Sequence, residues 1–170
     1  MPVMTIIQAV TNTLDQAMER DGGVCILGED VGKNGGVFRA TDGLWAKYGD
    51  ARVLDTPLNE SLIIGAAIGM GLYGLRPVPE IQFQDFIFPG FDQLVSEAAK
   101  IRYRSGGQYQ AHMVARTPEG GGSRGGHDHP HSVEADFPPA PELKSVLHSN
   151  TADAKETLAT RLDSNKPATR

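Results

Sequence analysis

Four consecutive apolar residues, Val24-Cys25-Ile26-Leu27, run straight into Gly28-Glu29-Asp30. A run that short, with no alternation, is the pattern of a strand buried on both faces. Such a strand needs helices on both sides, and the flanking sequence supplies them. Upstream, Ile7, Val10, Leu14, Ala17 and Met18 recur at helical spacing behind a Thr5/Gln8 capping box, and Gly22-Gly23 closes the segment. Downstream, Arg52 to Asp55 reads as a second short strand. Thr56-Pro57 then reads as the N-cap and first residue of a helix that runs to about Gly74. A strand over Val78 to Phe83 follows, then a helix over Phe91 to Arg104 with Phe91, Leu94, Val95, Ala98 and Ile101 on one face. Ala111 to Thr117 is the next strand, Leu143 to Leu147 a weaker one, and Thr151 to Leu162 a thinly apolar helix. Strands alternating with helices predict a single α/β domain with a largely parallel sheet flanked by helices.

Composition narrows the function classes. The chain has 170 residues and a formal net charge of −5, with Lys and Arg scattered rather than clustered. Nucleic acid is therefore not its expected partner, since phosphate binding needs a basic face. The single cysteine, Cys25, lies inside the apolar run and reads as a buried structural thiol. The first residues lack the layout of a signal peptide, and the longest nearly uncharged stretch, Ser61 to Leu75, is too short and glycine-rich to span a bilayer. A soluble cytoplasmic protein without membrane partners is the expectation. Glycine is the outlier, at 20 of 170 residues, so tight turns or close backbone approach must matter.

In open α/β sheets ligands gather at the carboxyl ends of the strands. Three such ends here carry polar groups: Glu29-Asp30, Asp55 through Glu60, and Gln84-Asp85-Phe86. By itself Glu60 reads as an acid complementing a helix dipole. The helix behind it, however, contains Gly65, Gly69 and Gly71, each costing about 1 kcal/mol of helix propensity against alanine. That cost makes sense where another backbone or another chain packs directly on the helix.

These stretches resemble a known family. The runs Gly28-Glu29-Asp30-Val31-Gly32, Gly35-Gly36-Val37-Phe38-Arg39 and Arg52 through Glu60 are similar to the β subunit of the thiamine-diphosphate-dependent 2-oxo acid dehydrogenase E1 component. So are Gly74 through Phe86 and Glu97 through Gly107. The resemblance is close from about residue 4 to 127 and looser to 167. It implies a thiamine-diphosphate pyrimidine-binding domain, with the cofactor shared with an α subunit that holds the diphosphate and its magnesium ion. Glu60 matches the glutamate that hydrogen-bonds the aminopyrimidine ring, and Phe86 the aromatic that packs against it; without the family, Phe86 would read as ordinary core. His129 matches an active-site histidine, in the context Asp128-His129-Pro130-His131-Ser132. Potassium on backbone carbonyls near Met113 and Leu162 is a further possibility that the family brings.

The implied activity is oxidative decarboxylation of a 2-oxo acid with acyl transfer to a lipoyl group. The implied partners are an α subunit, in a heterotetramer, and the lipoyl domain of the acyltransferase. The Gln82 to Phe86 stretch looks more like branched-chain than pyruvate enzymes, with pyruvate and acetoin enzymes as alternatives. From about residue 138 the chain departs from the family, and the family's C-terminal domain is expected to be absent. Two other readings stand beside the enzyme: a truncated, non-catalytic fragment that binds partners through the Gly65–Gly74 helix, and a metal-binding protein using His127, His129 and His131. The glycine run 120–126 lacks the Lys-Ser/Thr of a phosphate loop and reads as a hinge.

Overall fold

The computed structural model describes residues 3–119, 143–163 and 168–169. Helix α1 (Ile6–Arg20) starts where the sequence places it: Thr5 Oγ1 accepts from the Gln8 backbone and Gln8 Oε1 accepts from the Thr5 backbone, at 3.2 and 2.8 Å. Its buried face is Ala9, Thr13, Leu14, Ala17 and Met18. Ile7, expected on that face, is 41% exposed; Thr13 turns inward instead, its hydroxyl bonded to the Ala9 carbonyl at 2.7 Å.

Strand β1 (Val24–Gly28) is buried along its whole length and lies between β2 (Val53–Asp55) and β3 (Arg76–Glu80), all parallel. Val24 and Ile26 face one core with Leu14, Met18, Val53 and Val78. Leu27 faces another with Ile63, Ile64, Ala67, Ile81 and Leu94. That two-sided burial is why the run shows no alternation. β3 spans Arg76–Glu80 rather than Val78–Phe83, and its two prolines shape the sheet. The Arg76 N–H donates to Gly23 on the β1 side, so Pro77 and Pro79 face the other neighbour, where they offer no donor. The join to β4 (Val114–Ala115) is accordingly sparse, consisting of Arg116 N–H to Pro79 O at 2.9 Å and Ile81 N–H to Arg116 O at 3.0 Å. Beyond it the sheet continues in the order β4-β6-β5, with β5 at Lys144–Ser145 and β6 at Ala168–Thr169.

Two helices depart from expectation. Helix α3 (Glu60–Leu72, after the short α2, Leu44–Tyr48) begins at Glu60 because Asn59, not Thr56, caps it, accepting from Leu62 N–H at 2.9 Å. The Thr56 N–H still belongs to the sheet, donating to Gly28 O at 2.9 Å, and its hydroxyl oxygen, the atom that would cap a helix, accepts no hydrogen bond. The helix expected over Phe91 to Arg104 begins earlier, as α4 (Phe88–Asp92), widens through a π turn at Gln93–Ala98, and resumes as α5 (Ile101–Arg104). A bond of π-helical span from Ala99 N–H to Leu94 O lets adjacent Ala98 and Ala99 both be buried.

The last helix, α6 (Thr151–Leu162), has the expected bounds and an Asn150 cap. Ala154, Leu158 and Leu162 bury its inner face against α1, and Lys155 Nζ reaches Asn12 Oδ1 at 2.8 Å. Among the described residues no helix is long and apolar enough to cross a membrane. Because Leu158 is only 1% exposed, Leu158→Ala should destabilise the chain by about 2–5 kcal/mol. Urea unfolding measures this, and a loss under about 0.5 kcal/mol, the scale of surface changes, would show that α6 is not part of the core.

Candidate functional site at the carboxyl edge of the sheet

The carboxyl ends of β1, β2 and β3 converge, with Gly28 opposite both Asp55 and Glu80. That alignment puts Glu29, Asp55, Thr56 and Glu80 at one edge. Gly28 is required there: a Cβ would lie 2.7 Å from the Glu80 carbonyl oxygen. The chain then loops back over the edge through residues 29–41. Asp30 takes a positive φ of 58°, Gly32 N–H donates to Asp55 Oδ1 at 2.6 Å, and Thr41 Oγ1 donates to Val31 O at 2.7 Å. Gln82 Nε2 approaches Asp30 Oδ2 at 3.5 Å.

Glu60 opens α3 beside this loop. Gly90 allows α4 to lie directly on that first turn, since a Cβ there would meet Ile64 Cγ1 at 2.9 Å and Glu60 O at 3.1 Å. The Ser61 hydroxyl donates to Pro89 O across the same contact. Phe86, three residues ahead of Pro89, is half-buried against the core that holds Ile63 and Ile64. Its ring meets Phe83 edge to face at 5.5 Å, and Phe83 meets Phe38 of the loop at the same distance. Of the three glycines expected to serve close packing on α3, Gly71 does so within the chain: a Cβ there would lie 2.9 Å from the His112 backbone. Gly69 has nothing within 4 Å.

The structure adds a residue whose coupling to Glu60 cannot be read from the sequence, because the two are far apart along the chain. Glu29 is 8% exposed. Burial pushes its carboxyl above the ordinary glutamate range, and the charges of Glu60 and Asp30 push it further. Two buried side-chain oxygens at this edge, Thr56 Oγ1 and Gln84 Oε1, have no hydrogen-bond partner. An acid at the mouth, a second acid raised by burial and then by the first one's charge, a half-buried aromatic and unsatisfied oxygens fit a flat heteroaromatic base with nitrogen donors and acceptors. They do not fit a diphosphate, which needs cationic or N–H donors.

His129, with His127, His131 and the glycine run 120–126, lies outside the described residues. The chain enters that stretch from this same edge, where Gln84 N–H donates to Pro118 O at 3.2 Å. Among the described residues no three His, Cys, Asp or Glu side chains gather as metal ligands. Near Met113, the Leu162 carbonyl accepts from the Arg76 guanidinium at 2.7 Å, and Arg76, His112 and Arg161 line a small cavity there. Burial first, then Arg76, pushes His112 below the ordinary histidine range. Such a cationic lining does not suit a potassium ion. Cys25, buried in β1, has its thiol pushed up to about 11 and is chemically quiet, as expected.

An acid held above its unfolded value keeps its proton longer in the folded chain. Its favourable state is complete below the unfolded value, and stability is lost as pH rises through the folded one. Glu29→Gln should therefore stabilise the chain at pH 7 and flatten the decline that wild type shows above about pH 4.3, the ordinary glutamate value. Thermal unfolding against pH measures both, and parallel curves for wild type and variant would contradict the assignment.

Comparison with known proteins agrees with this architecture. Residues 3–169 match the family described as transketolase, pyrimidine binding domain. The chain is 52% identical over 164 residues to the 2-oxoisovalerate dehydrogenase subunit beta of Pseudomonas aeruginosa, covering 96% of this chain and 47% of that one. It is 47% identical over 167 residues to the pyruvate dehydrogenase E1 component subunit beta of Acholeplasma laidlawii, covering 98% and 51%. The chain thus spans about half the length of the curated relatives it matches. Among solved structures, a chain of a split-gene transketolase, described as an inactive beta4 tetramer, superposes with a TM-score of 0.75 over 96% of this chain and 49% of that one. At 16% identity, that likeness is one of fold. The chain therefore belongs to the transketolase pyrimidine-binding domain family.

Proposed function

We propose that this chain is the pyrimidine-binding part of the β subunit of a 2-oxo acid dehydrogenase E1 component, acting on a branched-chain 2-oxo acid. The single observation that carries the reading is the placement of Glu60 at the mouth of the carboxyl edge, coupled to buried Glu29. The branched-chain preference rests on the 2-oxoisovalerate relative at 52% identity, against 47% for the pyruvate relative, and on the Gln82 to Phe86 stretch. When bound, thiamine diphosphate supplies the electron sink that allows a 2-oxo acid to lose carbon dioxide.

The chain's own residues do the rest of what this half must do. Glu60 shares its carboxyl proton with the aminopyrimidine ring nitrogen and so biases the ring's tautomer. Phe86 packs on the ring, and the residues 29–41 close over it and exclude water. His129 is proposed to face the substrate from the segment after Pro118. The diphosphate and its magnesium ion fall to an α subunit, in a heterotetramer, and the acyl group passes to the lipoyl domain of an acyltransferase.

Two tests follow. Turnover of a branched-chain 2-oxo acid with an artificial electron acceptor should appear only when an α subunit is added; substantial turnover by this chain alone would overturn the shared site. In that complex, Glu60→Gln keeps size and reach but removes the acid. It should slow exchange of the cofactor's C2 proton by about 10²–10⁴-fold while weakening cofactor binding far less. An acid that merely complements the helix dipole would leave exchange unchanged and cost at most about 1 kcal/mol of stability.

A further inference from the structure

Glu80 and Arg116 form a buried ion pair across the sparse join between β3 and β4, with side chains 2% and 12% exposed. Nothing in the proposed chemistry uses them. Burying two charges costs several kcal/mol per ion before their attraction repays it, and apolar residues of similar size often serve stability as well. The pair therefore calls for a role beyond holding the sheet together.

What it touches supplies one. The other carboxylate oxygen of Glu80, Oε1, faces Gly36 in the loop that returns over the carboxyl edge, where a Cβ would lie 3.0 Å away. Gly36 takes a φ of +78° and donates its N–H to Asp30 O at 2.8 Å. Thr41 closes the same loop through its N–H on Gly35 O and its hydroxyl on Val31 O. Two residues after Gly36, Phe38 enters the edge-to-face series Phe38–Phe83–Phe86. A series of close approaches thus runs from Arg116 through Glu80 to Gly36, along the backbone to Phe38, and by way of Phe83 to Phe86.

We infer that the Glu80–Arg116 pair positions Phe86. It fixes the height of the 29–41 loop above the sheet, and the loop's Phe38 sets the tilt of Phe83 and hence of Phe86. Glu80, Arg116 and Gly36 are positioning residues, since none of them need touch a ligand. The inference deepens the pyrimidine-binding reading and rests on it only for the consequence, namely how well Phe86 meets the ring.

The test incorporates 4-fluorophenylalanine and follows the ¹⁹F resonances of the full chain, with Phe86 and Phe91 assigned by Phe86→Leu and Phe91→Leu. Three variants break the path at different points: Glu80→Gln, Gly36→Ala and Phe38→Leu. Each should shift the Phe86 resonance and leave that of Phe91 in place. Phe38→Leu leaves the ion pair intact, so it decides the matter where Glu80→Gln or Gly36→Ala fails to fold. Glu80→Asp with its charge retained should restore the resonance only in part, because it loses reach to Gly36. In the complex with an α subunit, the dissociation constant for thiamine diphosphate should rise by about 3- to 10-fold in Gly36→Ala, the scale of one aromatic contact. A Phe86 resonance unmoved in Gly36→Ala and Phe38→Leu overturns the inference, whatever the cofactor does. A resonance that moves, while Phe86→Leu itself leaves cofactor binding unchanged, upholds the positioning path and overturns instead the reading of Phe86 as the ring's packing partner.

Discussion

The close approach of the 28–41 segment to Glu80 is the constraint on which the rest of the site depends. At Gly28 a Cβ would stand 2.7 Å from the Glu80 carbonyl oxygen, and at Gly36, where φ is +78°, 3.0 Å from Glu80 Oε1, so glycine at both positions lets the chain fold back over the end of β3 without strain. That return covers the edge where three parallel strands finish. It also buries Glu29, and it sets Phe38 against the aromatic residues that follow β3. The high glycine content thus has a local cause in the edge of the sheet, and a second in the crossing of α3 by the chain at Gly71 and Gly90.

Much of the fold was legible because it follows from local rules. The capping box of α1, the two-sided burial of β1 and the span of α6 depend on residues adjacent in sequence, and each is found where it was expected. The failures came where a distant partner decided the outcome. Thr56 has the chemistry of a cap, but the chain is still paired with β1 at that point, through Thr56 N–H on Gly28 O, and Asn59 takes the role three residues later. Two prolines thin the junction between β3 and β4, and a π turn interrupts what periodicity presents as one helix. Ile7 and Thr13 exchange burial because a threonine can satisfy its hydroxyl on its own helix.

Legibility of the candidate site was divided differently. Glu60 and Phe86 stand out by resemblance to a family; as isolated residues they would read as a dipole-complementing acid and a core aromatic. The coupling of Glu29 to Glu60 and the Glu80–Arg116 pair join residues more than 30 positions apart and carry no sequence signature. The edge they build is acidic and aromatic. This suits a heteroaromatic ring and leaves an anionic diphosphate to be held by other groups, which is the division of labour expected of a site shared between subunits.

The central claim is that the aminopyrimidine binds at the carboxyl edge, and hydrogen–deuterium exchange of the complex with an α subunit tests it most directly. Adding thiamine diphosphate with magnesium should slow exchange of the amides in residues 28–41, 56–62 and 82–90. The amides of α6, which packs on α1, should be unaffected. Protection confined to α1 and α6, with the edge unchanged, would contradict the account.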